Sequence, residues 1–395
     1  MKLIDISEFY SEQGGGVRTY VNQKLEASAR LGHETVIVAP GARTYEDIRI
    51  GGKIIWVKAP KMPPDPRYHM FWQAQAVHDI IARERPDVIE GSSPWRGGWI
   101  AATAPTSALK VLIMHADPVA VYPHTLFGRF LAPHKIDHLF GWFWSYMRKL
   151  NARFDATLVA GAWLAHRFER FGLKGLQVAP FGIDKAIFTP QARSSTVRTE
   201  LLQACGLTPG DKVLVTVGRH HPEKRLGTLI DAVKHVNQVR RVGLFVIGDG
   251  PLRPWVERWA SRAPHIHLAG QIGDRNLLAS YLASGDALIH GSASETYGLA
   301  VAEGLSCGQP IIVPTTGGAA DFADPAYSET YPAGNSAAAA DAILRLLARD
   351  PDGLRLAAST GAQKVGRVEA HFERMFDIYE TLIAGRRLNA ATAAP

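Results

Sequence analysis

Short apolar runs alternate with longer stretches of helical period along almost the whole chain. Runs with the length and β-branched content of buried strands are predicted at 2–6, 34–39, 53–57, 87–90, 110–114 and 155–160. A second series is predicted at 212–217, 243–247, 265–268, 286–290 and 310–313. Between them lie patterns such as Leu226, Leu229, Ile230, Val233 and Val236, which share one face of a helix. Strands alternating with helices predict an α/β fold of parallel, doubly wound sheets. The strand series restarts near residue 212, after the polar segment from Gln191 to Glu200. This predicts two Rossmann-like domains with a boundary between about 180 and 210. The last strong pattern, from His371 to Leu382, places Phe372, Met375, Phe376 and Tyr379 on one face. It predicts a terminal helix, and its spacing is compatible with packing on either domain.

Composition narrows this picture without redirecting it. A chain of 395 residues calls for two or three domains. With 46% apolar and 21% charged residues it reads as soluble and globular, with disorder expected only in the small, polar tail from Asn389 to Pro395. Two cysteines, Cys205 and Cys307, are too few for a disulfide framework and fit a reducing cytoplasm. The opening Met1-Lys2-Leu3-Ile4-Asp5-Ile6 reads as a strand and not as a signal peptide, and no run is long enough to span a bilayer. The net charge of +7 and pI of about 9.3 permit an anionic partner: nucleic acid, an acidic lipid surface or a phosphorylated substrate. No zinc-finger spacing or other nucleic-acid signature accompanies the charge, so no nucleic-acid partner is expected.

The most informative chemistry is a pair of carboxylates, Glu295 and Glu303, bracketing Thr296-Tyr297-Gly298-Leu299-Ala300-Val301-Ala302. The apolar run from Leu299 predicts a buried helix beginning near Gly298, with Glu295 in the preceding loop and Glu303 about a turn and a half inside. A helix start gathers free N–H groups and partial positive charge, which suits phosphate. Carboxylates beside such a site would repel phosphate and are better suited to hydroxyl groups flanking it. A nucleotide sugar has that layout.

Other strand ends carry compatible groups. Gly14-Gly15-Gly16 precedes a helical pattern through Val17, Val21 and Leu25 and allows close backbone approach to an anion, or simply a tight turn. Arg219 and Lys224 follow the strand at 212–217 and suit a diphosphate clamp, or two solvated cations in a polar loop. Gly317-Gly318 closes another strand end, as a ligand loop or a plain turn. His115 ends the strand at 110–114, where it either contacts a substrate hydroxyl or is structural. Gly248-Asp249-Gly250 opens like a dinucleotide fingerprint but has Arg253 in place of the third glycine, which argues against NAD. The aromatics Phe140, Trp142, Phe143, Trp144 and Tyr146, among Arg129, Lys135, Arg148, Lys149 and Arg153, suit either a membrane-facing patch or a core helix.

Together these residues resemble the E-x7-E motif and loop series of retaining GT-B glycosyltransferases, family 4 in particular. Phe181-Gly182-Ile183-Asp184 with Phe188, and Gly248-Asp249-Gly250-Pro251, fall in the same order. The resemblance spans nearly the whole chain. It implies an acceptor domain at 1–180, a nucleotide-sugar domain at 181–370, and a last helix, about 371–388, returning to the first domain. It implies that Arg219 and Lys224 hold the diphosphate, Glu303 the ribose and Glu295 the donor sugar. Backbone groups of Tyr297, Gly298 and Leu299 would meet the sugar and phosphates, and the base would lie near Gln271 and Ile272. Gly15 and Gly16 would close from the other domain, with His115 near the transferred sugar. It implies transfer with retention and without a metal or other cofactor. The acceptor would be a lipid or lipid-linked glycan, the donor a UDP- or GDP-sugar, and the location cytoplasmic, peripheral at an anionic membrane. A nucleotide-sugar epimerase or a non-catalytic binding subunit would share the fold. Two departures stand out: Arg225 where the family often has glycine, and His220-His221 where apolar residues are more usual.

Overall fold

The computed structural model describes residues 1–11, 16–63, 65–128 and 130–392; Gly14, Gly15 and Arg129 lie outside them. Eight strands form the first sheet, in the spatial order Leu176–Val178, Ala156–Val159, Leu109–Met114, Val88–Gly91, Lys2–Ile6, Glu34–Gly41, Gly52–Lys58 and Tyr45–Arg49. All pair in parallel except the last, an antiparallel edge strand. The second sheet has six parallel strands in the order Ile266–Gly270, Val242–Ile247, Lys212–Val217, Ala287–Ile289, Ile311–Pro314 and Ser328–Tyr331. The expected α/β architecture of two parallel sheets is present.

Central strands are buried on both faces, as parallel sheets wound with helices require. Val242–Ile247 and Glu34–Gly41 are buried at every position but Glu34. Helices cover the faces through apolar stripes: Leu226–Val236 buries Leu226, Leu229, Ile230, Ala232, Val233 and Val236. The final helix, Val368–Thr392, leaves the second sheet and packs on the first. Its Phe372, Met375, Phe376 and Tyr379 share a core with Leu3, Val88, Val111 and Ile113. The helix carries on to Thr392, further than the disorder expected from Asn389 allowed.

A buried polar knot fixes this return. The Lys24 ammonium donates to Asp5 at 2.7 Å and to Glu90, while the Tyr379 hydroxyl donates to Glu90 Oε1 at 2.5 Å. All of these side chains are sealed from solvent, so each charge needs its partner.

The chain crosses from the first sheet to the second around Gly182 and returns around Arg367. The two crossings lie side by side, with the Ile183 N–H donating to the Gly366 carbonyl at 2.9 Å. A Cβ at Gly182 would stand 2.0 Å from the Arg367 carbonyl oxygen, so only glycine fits this approach.

Candidate active site

A cavity of 640 Å3 opens between the two sheets. From the first body it is lined by Tyr20, Trp95, His115 and Tyr122, and from the second by Arg275, Leu299 and Glu303. Two bonds tie its walls: Thr296 Oγ1 donates to the His115 carbonyl at 2.9 Å, and the Trp163 N–H donates to Asp321 at 3.0 Å.

The helix after Glu295 runs over Leu299–Ser306, so Glu295 lies in the preceding loop and Glu303 within the helix, as the spacing predicted. Gly298 sits at its N-cap with φ +90°, and no side chain caps the first turn. The glycine pair Gly317-Gly318 shapes this loop from outside. The Gly318 N–H donates to the Glu295 carbonyl at 2.6 Å, and a Cβ there would meet the Thr296 carbonyl carbon at 2.5 Å. These glycines therefore press the loop carrying Glu295 against the strand end.

Glu295 accepts from the Lys224 ammonium, and His290 Nε2 lies 3.5 Å from the same carboxylate oxygen. Burial alone would raise the Glu295 pKa; the Lys224 charge and the His290 contact outweigh it and hold the carboxyl well below the usual range. Glu295 is thus a fixed anion. Glu303 is the opposite case. Burial pushes its pKa up to about 7 against the pull of Arg275, whose Nη2 lies 3.7 Å from Glu303 Oε1.

His115 lines the cavity with its ring stacked on Phe181, centroids 6.0 Å apart, and edge-on to Tyr20 at 5.1 Å. Burial, with the Lys24 charge behind it, lowers its pKa to about 4, so the imidazole is neutral at neutral pH. Tyr297 is buried, its ring packed edge-on against Phe181 and Phe322. Leu299 is 47% exposed on the cavity wall. Gly16 begins the helix Gly16–Arg30 and also lines the cavity. Ile272 is half-buried, packed on the second domain's core.

The structure does not join Arg219 and Lys224 into a clamp. Lys224 is engaged by Glu295, while Arg219 is exposed and makes no ion pair among the described residues. The loop around them is fixed by close backbone packing. Gly248 and Gly250 have φ of +133° and +157°, and Cβ atoms there would strike the Gly218 and His220 backbones at 2.0 and 2.8 Å. Gly248 and Gly250 therefore let this turn pack directly against the Arg219 loop. Arg225 adopts φ +46°, the left-handed conformation that a glycine would take without strain. His220 is fully buried with neither ring nitrogen partnered, and burial lowers its pKa, so it fills an apolar role as a neutral ring.

The aromatic segment divides. Phe143 and Trp144 are core, with Trp144 stacked on Phe171 at 3.8 Å, and the Tyr146 hydroxyl is tied to the Pro94 carbonyl. Trp142 remains 67% exposed. The exposed apolar residues instead form a series beginning earlier, at Tyr122, Leu126, Phe127 and Leu139. His290 and Arg275, each beside one of the two glutamates, are the site residues that no motif had marked.

Comparison with known proteins bears on the family and the fold. The model of Glycosyltransferase Family 4 matches residues 14–186, and that of Glycosyl transferases group 1 matches residues 211–349. A GDP-mannose-dependent alpha-(1-6)-phosphatidylinositol dimannoside mannosyltransferase of Mycobacterium tuberculosis is 29% identical over 325 residues, 80% of each chain. A sulfoquinovosyl transferase of Arabidopsis thaliana is 30% identical over 245 residues, 61% of this chain and 45% of that one. Sucrose-phosphate synthase from Thermosynechococcus elongatus superposes with a TM-score of 0.75 at 19% identity, over 98% of this chain and 100% of that one. Anabaena HepE in complex with UDP-glucose gives 0.70 at 17% identity, over 96% and 100%. The two structures share the fold.

Proposed function

Because the chain belongs to glycosyltransferase family 4 and has the GT-B fold, we propose that it transfers a mannosyl group from GDP-mannose to a hydroxyl of a lipid-linked acceptor, with retention. The donor and acceptor classes are supported by the relatives named for GDP-mannose, one of them acting on a phosphatidylinositol dimannoside. The observation that carries the reading is that Leu299, Glu303 and His115 line one cavity, while Lys224 pairs with Glu295 in the loop just before the uncapped helix start that carries Leu299 and Glu303.

In this reading Glu303 accepts the ribose hydroxyls and Glu295 accepts hydroxyls of the transferred sugar. The base lies near Ile272, the backbone at Tyr297, Gly298 and Leu299 meets the sugar and phosphates, and Gly16 closes from the other side. As the anomeric C1–O bond breaks, negative charge gathers on the departing diphosphate. Arg219, turning in from solvent, Lys224 and the helix start stabilise it, and no metal is assigned to this role. The acceptor oxygen bonds to C1 on the face the diphosphate leaves, and its proton passes to a diphosphate oxygen. Glu295, held ionised by Lys224, is too weak a base to take that proton. Neutral His115 offers one ring N–H or lone pair to a sugar hydroxyl.

The acceptor side supports a membrane-bound substrate. Tyr122 and Val121 line the cavity, and the exposed Leu126, Phe127, Leu139 and Trp142 continue from there, with Lys135 and Lys149 exposed beside them. We place this face on an anionic, cytoplasmic leaflet. No described helix is long and apolar enough to cross a membrane.

The test is incubation with GDP-mannose, UDP-glucose and ADP-glucose in turn, with a phosphoinositide extract as acceptor. GDP release that requires the extract, and an α-linked product by NMR, are expected. Folded protein that releases no nucleotide from any donor would refute the assignment, and donor conversion without acceptor would make it an epimerase.

A further inference from the structure

Glu303 needs a negative charge for the role given to it, and its surroundings resist that charge. A carboxylate accepts hydrogen bonds from both hydroxyls of a vicinal diol; a protonated acid loses part of that capacity. The carboxyl is largely buried, with 16% of the side chain exposed. Among the described residues it has one ion-pair partner, Arg275. Of the other titratable groups, Cys307 lies one turn along and is kept a neutral thiol by burial, and the cavity lining adds Asp5, Asp184, Tyr20, Tyr122 and the neutral imidazoles of His115 and His371. None of them brings a cation to Glu303.

Arg275 is held for this contact by its helix and by an aromatic ring, with about half of its side chain exposed (49%). It opens the helix Arg275–Ser284, whose N-cap Asp274 accepts from the Asn276 and Leu277 N–H groups at 2.8 and 3.3 Å. Its guanidinium lies 5.0 Å from the ring centroid of Phe188, a side chain only 1% exposed. The planar cation thus rests on a fixed aromatic face with an edge toward Glu303. Arg275 and Glu303 both line the cavity, so the pair is presented to whatever fills it.

We propose that Arg275 is a positioning residue that favours the carboxylate form of Glu303, the form that accepts the ribose diol of the donor nucleotide. This rests on the assignment of Glu303 to the ribose. It makes the affinity for nucleotide depend on pH through a residue outside the E-x7-E motif. With the Glu303 pKa near 7, losing an adjacent cation that shifts it by about one unit cuts the ionised fraction at pH 7 from about one half to about one tenth.

Calorimetric titration of GDP and of 2′,3′-dideoxy-GDP between pH 6 and 9 tests this, because the ratio of the two dissociation constants isolates the diol. In the unmodified protein the preference for GDP should grow as pH rises through about 7. In Arg275→Gln it should fall roughly fivefold at pH 7 and recover near pH 9, while Arg275→Lys stays close to the parent. In a Glu303→Gln background Arg275→Gln should have no further effect on the preference. A loss equal at every pH, no loss at all, or a loss that persists in the Glu303→Gln background would each overturn the proposal. Glu303→Gln with an undiminished diol preference would remove the ribose assignment itself, whatever Arg275 does.

Discussion

Lys224 donates its ammonium to Glu295 across the carboxyl ends of two neighbouring parallel strands, Lys212–Val217 and Ala287–Ile289. The pair makes one unit of two groups assigned to different parts of the donor, and altering either leaves the other with a weaker neighbour, Glu223 at 4.0 Å for Lys224 and His290 at 3.5 Å for Glu295.

Lys224→Ala and Glu295→Ala should each lower transfer roughly 100- to 1000-fold, the scale of removing one preorganised electrostatic group. Lys224→Ala should also lower the thermal midpoint, because Glu295 would keep only His290, 3.5 Å away. The double variant should regain part of the midpoint and none of the activity. Single variants that transfer at the parental rate would remove both residues from the site.

Glu303 should weaken the fold as pH rises. Its carboxyl is raised from 4.5 to about 7 in the native state, so between those values the folded chain holds a proton that the unfolded chain has lost. The stability this contributes is complete below about 4.5 and lost as pH rises through about 7. Glu303→Gln should therefore stabilise the protein by about 1–3 kcal/mol at pH 8 relative to its effect at pH 4.5. Urea titrations at the two pH values read this directly. His115 and His371, both lowered from 6.5 to about 4, act in the opposite sense, losing stability as pH falls from 6.5 toward 4.

Arg225 holds a left-handed backbone, and its guanidinium reaches the Gly291 carbonyl at 3.4 Å, a long contact. Arg225→Gly should leave stability unchanged or raise it by up to about 1 kcal/mol, whereas Arg225→Val should cost about 1–2 kcal/mol. Thermal melts of the two variants check this. Equal destabilisation would mean that the side chain, and not the backbone, decides.

Trp142 and Lys149 stand seven residues, two turns, apart on the helix Gly141–Asn151 and share its exposed face. Lys149→Glu should weaken flotation with phosphatidylglycerol vesicles about tenfold, and Trp142→Ser should weaken it further. Arg153→Glu should matter less, because the Arg153 guanidinium is occupied over the Trp99 ring, 5.3 Å from its centroid. Flotation unchanged in all three would remove this face from the membrane.

The central strands were legible because parallel strands are apolar on both faces, as in Val242–Ile247. Tyr45–Arg49 was not, since this edge strand exposes Glu46, Ile48 and Arg49 to varying degrees and carries no apolar run. Ser328–Tyr331 mixes polar and aromatic positions and was missed for the same reason. In the site, Glu295 and Glu303 were readable because a helix start fixes the distance between them. Arg275 and His290 were not, because each reaches its glutamate through the fold, with no spacing to announce the contact. The aromatic segment misled in part: Trp142 faces outward, but Phe143 and Trp144 are consumed by the core, and aromatic density alone does not separate these cases.

Gly182, Ile183, Asp184 and Val368, at the paired crossings, also line the cavity. The joint between the two halves is therefore the floor on which substrate would rest. A ligand that fills the cavity bears on the joint directly, so occupancy and the angle between the walls are coupled without any intervening relay. Gly182, whose missing side chain lets the crossings touch, thus belongs at once to the joint and to the surface a ligand would meet.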